Sequence, residues 1–118
     1  MEELDTNNEV EKTGVLYVDD EENNLISFKA SLRREFNVYT AISPEAAKEF
    51  LDKDDLKVIV SDQRMPQTTG VEFFSQLKKT HPEPVRILLT GYSDMQAVVD
   101  AINQGEVYRY LTKPWDAP

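Results

Sequence analysis

The chain has 118 residues, 13 of them basic and 22 acidic, for a net charge of −9, and it contains no cysteine. That length fits one ordinary domain and not two, and without thiols there are no disulfides, no thiolate catalysis and no cysteine-held zinc. The negative surface repels nucleic-acid phosphates, and no apolar run is long enough to cross a bilayer, so neither a direct nucleic-acid partner nor a membrane is expected.

Residues 1–12 carry five acidic residues against one lysine, and are read as a disordered leader before a domain spanning 13–118. Glu2, Glu3 and Asp5 behind Met1 are the opposite of a basic signal peptide, which favours the cytoplasm. Val15–Val18 (VLYV) is a short run of β-formers that predicts a first strand. Glu22–Glu35 follows with Leu25, Phe28 and Leu32 at helical spacing. Asn37–Ala41 (NVYTA) reads as a second strand. Ser43 as N-cap and Pro44 in the first turn predict a helix that buries Ala47, Phe50 and Leu51. Val58–Val60 is the third strand; Gly70 opens a helix with Val71, Phe74 and Leu77 inward, which His81-Pro82 ends. Ile87–Leu89 is the fourth strand. Ser93 caps a helix burying Val98, Ala101 and Ile102, Gly105 stops it, and Tyr108–Leu111 is the fifth strand.

Strand and helix thus alternate, and the strands are apolar throughout instead of every second residue. Such strands belong to a parallel sheet covered on both faces, the doubly wound α/β class. Ligand sites in that class lie beyond the carboxyl ends of the strands, near the switch in strand order. The residues there are Asp19, Asp20, Glu21 and Glu22 after the first strand, and Asp62 after the third. Thr90 and Gly91 follow the fourth; Thr112, Lys113 and Pro114 follow the fifth. A lone Asp at a strand end is ordinarily a turn former. Three carboxylates converging on one rim, with a hydroxyl and a lysine beside them, ask for more. They repel one another and stay ionised together only around positive charge. Lys113 supplies some; a divalent cation supplies more, and the all-oxygen donor set suits Mg²⁺ or Mn²⁺. A carboxylate in that setting can attack phosphorus and hold an aspartyl phosphate, with cation and lysine neutralising the phosphoryl oxygens and Thr90 donating to one of them.

VLYVDDEENN, VIVSDQRMPQTTG, ILLTGYSD and YRYLTKPW, taken in this order and spacing, resemble the receiver domain of two-component response regulators from about Thr13 to Trp115. The resemblance implies a flavodoxin-like fold, a five-stranded parallel sheet in the order 2-1-3-4-5. It implies that Asp62 is the phosphoacceptor, loaded by a histidine kinase or phosphotransfer protein. Asp20 would bind Mg²⁺ directly, Asp19 through water, and Arg64 through its backbone carbonyl. Thr90 and Tyr110 would form the switch pair, and Lys113 the phosphate-binding lysine. Such a domain is not an enzyme in the ordinary sense, though it assists its own phosphorylation and dephosphorylation; its signal goes to an output domain or effector through the face made by the fourth helix and fifth strand. His81, the only histidine, reads as a solvated residue at a helix exit.

The family fold ends in a fifth helix, whereas here the sequence stops at Asp116-Ala117-Pro118, just where that helix is capped. The chain is therefore read as a piece of a longer regulator, with strands one and five partly bare and self-association through that face expected. Its YRYLTKPWD ending resembles receivers fused to cyclic-di-nucleotide phosphodiesterases or transcriptional activators. Two other classes compete. An Asp-nucleophile phosphatase needs an acid two residues after the nucleophile, where this sequence has Arg64. A receiver-like interaction module without phosphorylation has no need of Asp62, Lys113 and the acid pair, all of which are present.

Overall fold

In the computed structural model of the chain, the residues described are 12–91 and 95–112. Residues 1–11 of the leader, Ser93, and Lys113 with everything after it lie outside them. Among the described residues the order is β1 Thr13–Val18, α1 Glu22–Leu32, β2 Phe36–Ala41, α2 Pro44–Ala47 with a 3-10 turn Lys48–Phe50, β3 Leu56–Asp62, α3 Gly70–Thr80, β4 Val85–Thr90, α4 Met95–Asn103 and β5 Arg109–Thr112. All strand pairs are parallel, in the order β2-β1-β3-β4-β5. This is the flavodoxin-like arrangement expected from the sequence. The chain steps from β1 to β2 on one side and to β3 on the other, so the crevice opens at the carboxyl ends of β1 and β3.

Successive residues of a strand point to opposite faces, and this sorts the core into two layers. Leu16, Val18, Ile59 and Leu88 face Phe73, Phe74 and Leu77 of α3 with Val98 and Ala101 of α4. Val15, Tyr17, Val60 and Leu89 face the other way, toward Leu25 and Phe28 of α1. The expectation that β1 lies partly bare is not met. From Gly14 onward β1 is buried, because α1 lies over it. Exposure falls on β5, where every second residue is open to solvent and Leu111 is 46% exposed.

Other elements depart from the sequence reading: α1 ends at Leu32 and not at Glu35, and β4 extends beyond Ile87–Leu89 to Val85–Thr90. The second helix is short: after Ala47 the backbone tightens into the 3-10 turn, and Phe50 and Leu51 are only half-buried. Phe50 stacks on Tyr39 of β2 at 5.2 Å between ring centres, so this turn leans on the edge strand instead of entering the core. β3 runs from Leu56 through Asp62, longer than its apolar run suggests, so Asp62 is the strand's last residue. Exposed Lys57 breaks the hydrophobic signal where the β1–β3 register shifts, Gly14 pairing with Leu56 and Val15 with Val58.

The edge strand is tied to the loop before β3 through Asp55. Tyr39 donates to both of its carboxylate oxygens at 2.9 Å and Asn37 to Oδ2 at 3.0 Å. Partial burial pushes the Asp55 carboxyl up, but these hydrogen bonds outweigh it and hold the group below its ordinary value. At the amino end of β4, buried Arg86 donates to the carbonyls of Pro82, Pro84, Gly105 and Glu106. The start of β4 and the loop from α4 to β5 are thereby stapled together.

α3 is placed against the end of β3 by three devices. Thr69 and Glu72 form a reciprocal capping box, at 3.1 Å and 2.9 Å. Buried Gln63 accepts from Gly70 N through its carbonyl (3.0 Å) and from Val71 N through its side chain (2.9 Å). Gly70 itself lies so close that a Cβ would stand 2.6 Å from the Asp62 carbonyl oxygen and 2.6 Å from Leu88.

Two outcomes are expected. Gly70→Ala destabilises the domain by about 1–3 kcal/mol in urea unfolding, because the helix has to back away from Asp62; an unchanged midpoint contradicts the close approach. The Asp55 carboxyl, lowered in the folded state, contributes stability above its unfolded value near 3.9 and loses it as pH falls through the folded value. Asp55→Asn therefore lowers the melting temperature at neutral pH, and the gap to wild type closes in acid.

Candidate functional site

The sheet register puts acid beside acid. Val18 pairs with Ser61, so one step further out Asp19 and Asp62 stand side by side at the ends of β1 and β3, and Asp20 follows. One carboxylate oxygen from each of the three lies within 4.8 Å of the others. Asp19 and Asp62 are buried, at 0% and 3% exposure, while Asp20 is open to solvent.

Asp19 is held by the protein on both oxygens. The Tyr17 hydroxyl donates to Oδ2 at 2.6 Å and Asn24 Nδ2 to the same oxygen at 3.0 Å; Glu21 N donates to Oδ1 at 2.9 Å. Burial first, then the bond to Asp19 and the charges of Asp19, Asp62 and Glu21, push the Tyr17 hydroxyl well above its ordinary pKa, so it remains a donor. The backbone of Asp19 is fixed as well, through its N–H on Ala41 of β2 at 3.1 Å. Asp62 is the end of β3, with Ser61 Oγ on its carbonyl at 3.0 Å and Gly70 packed against that same oxygen.

The other residues expected at the rim fall where the topology takes them. Asp62 pairs with Leu89, so Thr90 lies one step beyond on the neighbouring strand, buried, its hydroxyl donating to Gly91 O at 2.9 Å. Thr90 pairs in turn with Thr112, the residue before Lys113; Lys113 itself is outside the described residues. Tyr110 pairs with Leu88, sits half-buried and packs on the core layer of α3 and α4. Arg64 is exposed on the loop between Asp62 and α3. A groove of about 920 Å³ runs from Asp20 between α2 and α3, lined among others by Pro44, Met65, Pro66 and Phe73.

His81 ends α3 as expected, but it is not simply solvated. Its Nε2 lies 2.9 Å from Asp52 Oδ1 and its Nδ1 3.0 Å from Thr80 Oγ1, because the turn after α2 carries Asp52 alongside the helix exit. Tyr17, Asn24 and Gln63 were not singled out by the sequence reading. A signal existed for Tyr17: residues two apart in a strand share a face, which sets its ring below Asp19. Asn24 and Gln63 had none, since each acts through one hydrogen bond that only the folded chain creates.

Three carboxylates this close, with only oxygen donors, fit a hard divalent cation. No helix among the described residues is long and apolar enough to cross a membrane.

The sequence matches the model of the response regulator receiver domain over residues 15–118. It is 40% identical over 101 residues to the hydrogenase transcriptional regulatory protein HoxA of Cupriavidus necator, covering 86% of this chain and 21% of that protein. The chain thus spans about a fifth of the length of the curated relatives it matches first. Among solved structures, the signal receiver domain of an HD domain-containing protein from Pseudomonas fluorescens superposes with a TM-score of 0.81 at 31% identity, over 91% of this chain and 86% of that one. A response regulator receiver domain protein from Clostridium thermocellum gives a TM-score of 0.82 at 29% identity, over 89% and 85%.

The crowding of like charge has a measurable consequence. In chelator, Asp20→Asn removes one negative charge from the solvent-exposed corner of the cluster and raises stability by about 1 kcal/mol, a Coulomb repulsion discounted for exposure. The check is a thermal melt in EDTA; a lowered midpoint contradicts the repulsion.

Proposed function

The chain belongs to the response regulator receiver domain family, and we propose that it accepts a phosphoryl group on Asp62 from a histidine kinase or phosphotransfer protein and relays this as a change of surface. One observation carries the reading: a buried carboxylate at the end of β3 stands within 4.8 Å of two more at the end of β1. A carboxylate so placed is shielded from water and aimed at the crevice where a donor group would dock.

The cluster fits Mg²⁺, with Mn²⁺ as a substitute. Asp20 would hold it directly and Asp19 through water, with Asp62 and the backbone carbonyl of Arg64 completing the protein ligands. Bound there, the cation supplies positive charge to the phosphoryl oxygens. The residues do the rest. An oxygen of Asp62 attacks the phosphorus of a phosphohistidine; the new O–P bond forms as the P–N bond breaks, and the electron pair leaves on the imidazole nitrogen. Lys113 pairs with a phosphoryl oxygen. Thr90, whose hydroxyl otherwise donates to Gly91 O, turns that proton to the phosphoryl group. Tyr110, half-buried at the adjoining strand, then moves inward and reshapes the α4–β5 face. A bias of about 3–5 kcal/mol is enough to move most of a two-state population.

The domain would work in the cytoplasm and pass its signal to an output domain or effector. Relatives named as transcriptional regulators and a solved neighbour from an HD domain-containing protein support two kinds of output. Self-association through the exposed β5 side would accompany it.

Incubation with acetyl phosphate and Mg²⁺ is expected to add one phosphoryl group, stable in acid and labile in base. EDTA and Asp62→Asn each abolish it. Continuous turnover of acetyl phosphate with no modified protein points instead to a phosphatase. Folded protein that takes up no label, with Mg²⁺ bound, points to a module that works by interaction alone.

A further inference from the structure

Tyr17 lies in the apolar run of β1, fully buried, where phenylalanine would fill the same space. Its ring is stacked on Phe28 of α1 with centres 4.3 Å apart and planes 23° from parallel, which leaves the hydroxyl no freedom to wander. That hydroxyl ends 2.6 Å from Asp19 Oδ2, the short distance of a bond from a neutral donor to a charged acceptor. Each carboxylate oxygen offers two acceptor directions. On Oδ2 both are taken, one by Tyr17 and one by Asn24 Nδ2 at 3.0 Å. On Oδ1 one is taken, by Glu21 N at 2.9 Å. Among the described residues, a single direction on Oδ1 is left.

We propose that Tyr17, backed by Asn24, is a positioning residue for the cation site: its hydroxyl locks the Asp19 carboxylate so that one remaining acceptor direction on Oδ1 is offered to the cation's shell. The inference rests on the cation reading of the acidic cluster. Without the hydroxyl, a buried carboxylate between two other anions is free to turn its face away from them, and the geometry a small octahedral ion demands is lost. Partners that orient a metal ligand are worth about tenfold to a hundredfold in affinity. Asp19 reaches the cation through water, so the lower end, about tenfold, is expected.

The experiment titrates Mn²⁺ into wild type, Tyr17→Phe, Asn24→Ala and the double variant by calorimetry, in the cold, with each variant first shown folded by circular dichroism. Tyr17→Phe keeps the ring and its stacking, and binds Mn²⁺ about tenfold more weakly. Asn24→Ala also binds more weakly, and the double variant loses less than the product of the two, because both donors act on one oxygen. A merely structural hydroxyl lowers the melting temperature and leaves the affinity alone, which overturns the proposal. So does a Tyr17→Phe variant that binds more tightly, or a double variant whose losses simply multiply. Wild type that takes up no Mn²⁺ is a different failure: it removes the cation reading itself.

Discussion

Everything at the rim depends on the repulsion among Asp19, Asp20 and Asp62, held within 4.8 Å of one another by the register of β1 and β3. At an effective dielectric near 20, two unit charges at such a distance oppose each other by about 3–4 kcal/mol, more than a surface group normally bears. The fold sustains this because hydrogen bonds answer part of the charge. Tyr17, Asn24 and the Glu21 N–H all point at Asp19. On the proposed reading, a cation entering the cluster would relieve this repulsion as well as gain ligands.

Around the acceptor the packing is tight, and toward the readout it loosens. Asp62 is the last residue of a central strand, with Gly70 against its carbonyl and Gln63 pinning the first turn of α3. β5, four residues long at the sheet edge, alternates between exposed and half-buried positions, and Tyr110 on it is only partly enclosed. Regions with few buried apolar contacts open at lower free energy than the core. On the proposed reading, an acceptor in the rigid part and a reporter in the loose part would let a modest bias produce one change of surface.

Much of this was legible in the residues. The strands of a parallel sheet are buried on both faces, so VLYV, VIV and ILL stand out as unbroken apolar runs, and the acid that ends two of them marks the crevice. What stayed hidden was polar chemistry inside those runs. Tyr17 reads as a β-former and its hydroxyl is silent until Asp19 is seen above it. Arg86 stands just before the apolar run Ile87–Leu89 and carries no signal of its own, yet it is buried, because the loop after α4 brings the Gly105 and Glu106 carbonyls to it. Lys57 interrupts the pattern of β3 at the point where the β1–β3 register shifts past it. The brief α2 escaped because the 3-10 turn depends on Phe50 finding Tyr39 across the edge of the sheet, and periodicity does not report on a contact between distant residues.

Arg86 also constrains how any signal leaves the rim. It sits at the amino end of β4, whereas Thr90 sits at the carboxyl end. Its guanidinium satisfies four backbone carbonyls, two before β4 and two in the loop that enters β5. Breaking such a set would leave the buried, charged guanidinium without its acceptors, at a cost above about 1–3 kcal/mol and comparable to the bias a phosphoryl group would supply. Burial lowers the affinity of Arg86 for its proton, Glu106 works against that, and a guanidinium remains charged in either case. Lys78, donating to Gln104 O at 2.8 Å, ties the same loop to α3. The far end of the α4–β5 unit, away from Thr90 and Thr112, is therefore anchored to two elements. On the proposed reading, a rearrangement started at the rim would pivot about this anchor, with displacement growing toward Asp62 and fading away from it.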